Sequence, residues 1–141
     1  MRLIEGQIEK AITLLTLAQQ SDPEASPLNE EKVRMILTDR VHDPKTFIAV
    51  NRDVTAIIML IVADDWFSTK PIIDEVVFFS TTQGSGFRLL KEAKKWVEGW
   101  GDSIGCAYFS TTTENEKVDN MLERFGLQKV GTKFKFNRGE G

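Results

Sequence analysis

Two closely spaced glycines, Gly84 and Gly86, stand between the apolar run ending at Ser80 and the amphipathic segment that begins at Phe87. Glycine lets main-chain N–H groups approach a ligand without obstruction, and a helix start offers unpaired donors and a positive dipole end. Thr81, Thr82, Gln83 and Ser85 add hydroxyl or amide donors to the same turn. Such a turn either holds phosphate or simply starts a helix, and the stretch alone leaves both readings open. A triphosphate loop needs Lys-Ser/Thr after the glycines, where Phe87-Arg88 stand, and dinucleotide binding needs a third glycine, where Leu89 stands. Both are set aside. Asp74 and Glu75 adjoin within one strand-like run and point to opposite faces, as polar residues of a strand edge or as groups able to handle protons. Asp64 and Asp65 are loop carboxylates or contacts for a cation. Cys106 reads as a structural thiol, with no histidine near it in sequence to activate it. His42, in VHDPK, reads as a surface residue of a turn.

The elements that must position these groups follow from periodicity. Met1 to Ile4 reads as a short strand, and Ile8, Ile12, Leu14 and Leu15 define the stripe of a first helix. SDPEASPLN interrupts it, and Ser26 or Asn29 caps a second helix, EEKVRMILTDR, with Val33, Ile36 and Leu37 on one face. TFIAV and AIIMLIVA flank Asn51-Arg52-Asp53, a hairpin pattern. PIIDEVVFFS is a further strand. Gly84 to Trp100 carries Phe87, Leu90, Ala93, Trp96, Val97 and Trp100 at helical spacing, and SIGCAYFST follows as a strand. Thr113 to Glu116 matches a capping box for a helix that runs to Arg124 and stops at Gly126. LQKVGTKFKF alternates as a last strand. The strands on either side of the Gly84 helix are expected to be parallel, the hairpins antiparallel.

Size and charge bound the function. The 141 residues, 41% hydrophobic, suffice for one domain, expected over 1–137 with a disordered tail at 138–141. With 18 basic against 21 acidic residues, the net charge of -3 gives no field for nucleic acid, which is not an expected partner. One cysteine and one histidine cannot build a zinc cluster or an internal disulfide. AIIMLIVA is too short to span a bilayer and the N-terminus lacks a signal pattern, so a soluble, cytoplasmic, metal-free protein is expected, with no membrane partner.

The order of elements and two motif regions resemble the GCN5-related N-acetyltransferase (GNAT) family over nearly the whole chain. IIDEVVFFSTTQGSGFRLLKEAKKWVEGWG is similar to the family's central strand, acyl-CoA pyrophosphate loop and following helix. CAYFSTTTENEKVDNMLERFGLQKVGTKFKF is similar to its later strand, Asn-bearing helix and final strand. DDWF further resembles the small acetyltransferase-like proteins of bacterial and phage genomes. The resemblance implies an α+β, three-layer fold: a mixed, mostly antiparallel sheet of about six strands with helices on both faces. It also implies acetyl-CoA as cofactor, bound by Val77, Phe78, Phe79, Thr81, Thr82, Gln83, Gly84, Ser85, Gly86 and Phe87, with Asn115 beside the pantetheine arm.

The activity implied is transfer of acetyl to a primary amine, on a small molecule or a protein, by direct attack through a tetrahedral intermediate. Glu75 takes the place of the family's base. Leu122 stands where many members carry a tyrosine that reprotonates the leaving thiolate, and Tyr108 is the substitute considered, against a core role for the same phenol. Thr81 stands where the loop usually has Gln or Arg, and the loop is short. Trp66, Phe67, Trp96 and Trp100 read as packing residues, with Trp66-Phe67 alternatively lining the acceptor pocket. These departures keep open a second reading, a member without transfer chemistry that binds or builds, such as a phage component. The final strand could pair across a homodimer.

Overall fold

The computed structural model describes residues 1–22, 25–82, 84–109, 116–128 and 130, with only the main chain for 116–118. The chain divides into two compact units, Met1–Ser110 and Thr111–Gly141.

The first unit is built on β1 (Thr46–Val50), β2 (Ala56–Ala63), β3 (Ile72–Ser80) and β4 (Ala107–Tyr108), adjacent in that order. β1–β2 and β2–β3 are antiparallel; β4 returns parallel to β3 after the crossover helix. The sheet is mixed, as expected, but four strands are present among the described residues rather than about six. Met1 to Ile4 contributes one bridge, Arg2 to Ala49, because the chain turns into a 3-10 helix at Glu5–Gln7. β4 is also shorter than SIGCAYFST suggested, since a 3-10 turn at Gly101–Ser103 takes up the approach and ladder pairing starts only at Ala107. The proposed last strand, the capping box residues Thr113 to Asn115, Gln83 and the tail lie wholly or largely outside the described residues.

Alternation assigns each strand residue to a face. Ile48, Val50, Ile57 and Met59 join Leu3, Ile8, Ala11, Ile12 and Leu14 of helix α1 (Ile8–Ser21) and Leu37 of α2 (Glu30–Arg40) in one apolar core. The other face carries Phe47, whose ring lies 5.4 Å from that of Trp96 on α3 (Ser85–Trp100). Helices therefore cover both faces. α2 begins at Asn29, not Ser26: the Asn29 side chain accepts the Lys32 N–H at 3.1 Å. Ile36 is not on the buried face of α2; Leu37 is buried and Val33 packs half-buried against the same core. On α3 Leu90 and Ala93 are buried and Trp96, Val97 and Trp100 half-buried, as the spacing suggested; Gly86 and Leu89 are buried as well, and only Phe87, 42% exposed, departs from the stripe.

In the second unit α4 (Glu116–Arg124) ends in a Schellman turn. Gly126, at φ +89°, donates to Glu123 O at 2.9 Å, and Leu127 donates to Leu122 O at 3.1 Å.

Candidate functional site

The C-terminal end of β3 delivers the chain to the glycine turn. Gly84 is the residue before α3 and has φ +81°, a left-handed conformation that a side chain resists; a Cβ there would meet nothing within 4 Å. As the residue before the helix, Gly84 supplies no side-chain cap to the first turn. Gly86 is a glycine for a different reason. A Cβ on it would lie 3.2 Å from Cε1 and Cζ of Phe78, so its bareness seats α3 on β3. Of the pair, Gly84 shapes the turn and Gly86 brings helix and strand together.

The turn is tied to the β1–β2 hairpin by a network that sequence reasoning missed. The Thr81 N–H and Oγ1 both donate to the Thr55 carbonyl, at 2.9 and 3.0 Å, so Thr81 acts as a tether. Thr55 Oγ1 and Thr82 Oγ1 are 3.2 Å apart, and Thr82 Oγ1 and Ser85 Oγ 2.7 Å. Asn51 Nδ2 donates to Thr55 Oγ1 at 2.7 Å and to Ser85 Oγ at 3.4 Å. Asn51 was legible only as a turn former; the 34 residues that separate it from Ser85 hid the rest.

At the other end of β3 the register changes. Met59 pairs with Val77 but Leu60 with Glu75, which leaves Val76 as the extra residue of a β-bulge, its side chain exposed. The bulge inverts the faces of what precedes it. Glu75 shares the face of Leu60 and hence of α3, whereas Asp74 shares that of Ile61, the α1 side. Tyr108 pairs with Asp74 and lies on that same side. The two residues considered for proton transfer thus stand on opposite faces of the sheet.

Tyr108 has its own neighbours. Hydrogen bonding to the Cys106 side chain is the largest influence on the phenol, followed by the charge of Cys106, desolvation and the charges of Asp65 and Asp74, and all raise its pKa above the usual 10.0. The group stays a proton donor through neutral pH. Cys106 is exposed rather than buried, because two-residue β4 is the last strand beside β3 among the described residues. Trp66 and Phe67 are 91% and 97% exposed, so they do not pack as core residues; the Asp65 carboxylate accepts the Phe67 N–H at 3.0 Å and turns the loop outward. Trp96 and Trp100 do pack, with ring centroids 5.8 Å apart. His42 is on the surface, 2.8 Å from Glu5 Oε1.

β4 pairs with β3 only at Ile73 and Asp74. Beyond that point, up to Ser80, the β3 edge away from β2 has no partner strand among the described residues. A separate open groove of about 240 Å³ lies between α1 and the β1–β2 turn, with Lys10, Leu14, Asp53 and Thr81 in its lining. It includes neither Glu75, Tyr108 nor the glycines. No group of three or more metal-ligating side chains occurs among the described residues, and no described helix is long and apolar enough to cross a membrane.

No family model and no curated protein matches the sequence. Solved structures do match. An aminoglycoside antibiotic 6'-N-acetyltransferase from Acinetobacter baumannii superposes with a TM-score of 0.67 at 14% identity, covering 100% of this chain and 97% of its own. An aminoglycoside acetyltransferase from an uncultured soil metagenomic sample, in complex with sisomicin, gives 0.66 at 14% identity, covering 97% and 93%. A Trypanosoma brucei acetyltransferase gives 0.67 at 14% identity, covering 97% and 96%. The chain has a GNAT-like acetyltransferase fold.

Proposed function

We propose that this protein is an acetyl-CoA-dependent N-acetyltransferase acting on a primary amine. The observation that carries the reading is the start of α3 after left-handed Gly84, which supplies no side-chain cap, at the end of a strand whose far edge has no partner strand among the described residues, in a GNAT-like fold. The cradle fits a pyrophosphate: its donors are main-chain N–H groups, a side chain at Gly84 is absent where ligand space is needed, and the Ser85 hydroxyl adjoins them. Acetyl-CoA, when bound, supplies the activated acyl group. Val77 to Phe79 would hold its arm along β3, with Gly84, Ser85, Gly86 and Phe87 at the phosphates, and Gln83 and Asn115 remain expected contacts. Tyr108 holds a proton at its phenol oxygen and is the donor we assign to a departing thiolate. Glu75, on the α3 face, is the base we assign to the amine. The acceptor is a small-molecule or protein amine, and the anionic charge of Asp65 and Asp74 around Tyr108 supports a cationic one.

One observation favours the second reading, a member that binds without transfer: Glu75 and Tyr108 are on opposite faces of the sheet. Calorimetric titration with acetyl-CoA separates the outcomes. Binding heat, shifts of the Gly84, Ser85 and Gly86 amides, and thiol release with a panel of amines are expected. Binding without thiol release assigns the second reading, and the absence of heat and shifts at millimolar acetyl-CoA removes the transferase reading.

A further inference from the structure

We propose that Asn51 is a positioning residue for the anion cradle, setting the place of a hydroxyl chain that ends in a donor at Ser85. The inference rests on the acyl-CoA reading above. Asn51 Oδ1 accepts the Thr55 N–H at 2.8 Å and the Ala56 N–H at 2.9 Å. Main-chain N–H groups only donate, so the orientation of this amide is fixed and Nδ2 must face the hydroxyls. Nδ2 donates to both ends of the chain, Thr55 and Ser85, with Thr82 between them.

Three hydroxyls in series allow two proton orders. One runs from Thr55 through Thr82 to Ser85 and leaves the Ser85 O–H free; the other runs back and leaves the Thr55 proton without an acceptor in the chain. An anion at the start of α3 selects the first order, because Ser85 is the first residue of that helix and its O–H then points the chain's last proton toward the ligand beside the main-chain N–H groups of the helix start. The amide also holds the hairpin turn itself. Val54, a β-branched residue buried in the core, is kept at φ +53° between these bonds, a conformation that persists only where the surroundings fix it. Through the Thr55 carbonyl the same turn fixes Thr81, which fills the place of the Gln or Arg expected from the family resemblance.

The test is a double-mutant cycle read by calorimetry with CoA. Asn51→Ala is expected to weaken CoA binding by about tenfold, the scale of one hydrogen bond to a charged group. In the Ser85→Ala background, where the donor at the end of the chain is gone, the same substitution is expected to cost less than about threefold. A purely structural role for Asn51 predicts equal losses in both backgrounds, and that outcome overturns the proposal, as does a wild-type-like affinity for Asn51→Ala. Thr82→Val interrupts the chain without touching the hairpin amide and takes the place of Asn51→Ala if that variant fails to fold. Wild-type protein that binds no CoA at millimolar concentration overturns the acyl-CoA reading, and this inference with it.

Discussion

Tyr108 is the only tyrosine in the chain, so the ultraviolet signal of phenolate formation reads this one residue. Its neighbours Cys106, Asp65 and Asp74 all disfavour a phenolate. The native titration is expected to lie above pH 10 and to return to about 10 in denaturant. Between those values the folded protein keeps a proton that the unfolded chain has lost. Stability therefore falls as pH rises through that window, and is unaffected by Tyr108 below it. Cys106→Ser and Asp65→Asn should each bring the native midpoint down; an unmoved midpoint in both would detach the phenol from the cluster. The same scale explains the glycines. Gly84 and Gly86 look equivalent in sequence, yet one has open space where its Cβ would be and the other has the Phe78 ring.

Among the elements, α2 illustrates how weakly a short helix declares its buried face. Val33, Ile36 and Leu37 are compatible with one stripe, but Ile36 is 40% exposed and Leu37 2%. Leu37→Ala should destabilise the protein by about 2–5 kcal/mol, while Ile36→Gln should stay within about 0.5 kcal/mol, both measured by urea unfolding. A comparable loss at the two positions would put the stripe back where the spacing suggested. On β3 the bulge matters more than propensity. A regular ladder would place Glu75 with Ile61, on the α1 face of the sheet; one extra residue at Val76 sends it to the α3 face. Alternation along IIDEVVFFS contains no sign of this, because the bulge is a property of the pairing with β2.

For the molecule as a whole, the net charge of -3 says little about acid stability; the placement of a few carboxylates says more. Glu9 on α1 accepts from Arg34 on α2 at 2.6 and 3.0 Å, and this hydrogen bonding holds its pKa below the usual 4.5. Asp43 accepts the Lys45 N–H at 2.9 Å, and that bond, with those from Arg40 and Thr46, holds it below 3.8. Both groups are depressed on folding. Their contributions are present above the unfolded values and lost as pH falls through about 4 and lower. The melting temperature should drop in that range, and Asp43→Asn should flatten the drop; added salt should weaken the Glu9 part more than the Asp43 part, whose main partner is an uncharged N–H. An unchanged slope in Asp43→Asn would remove this residue from the acid response.

The sequence by itself determined the kinds and order of the principal elements of the first unit, the hairpin at Asn51-Arg52-Asp53, the strand-turn-helix around Gly84, and the likeness to a GNAT-like fold. These are local patterns, carried by neighbours within a turn or two of one another. Tertiary structure alone decided the roles within them: Asn51 as partner of Ser85, Thr81 as a tether, Gly86 as a seat for Phe78, Glu75 and Tyr108 on opposite faces. Each depends on which residues of distant segments come into register, and hydrophobic periodicity specifies the face of an element without naming its partner across the sheet.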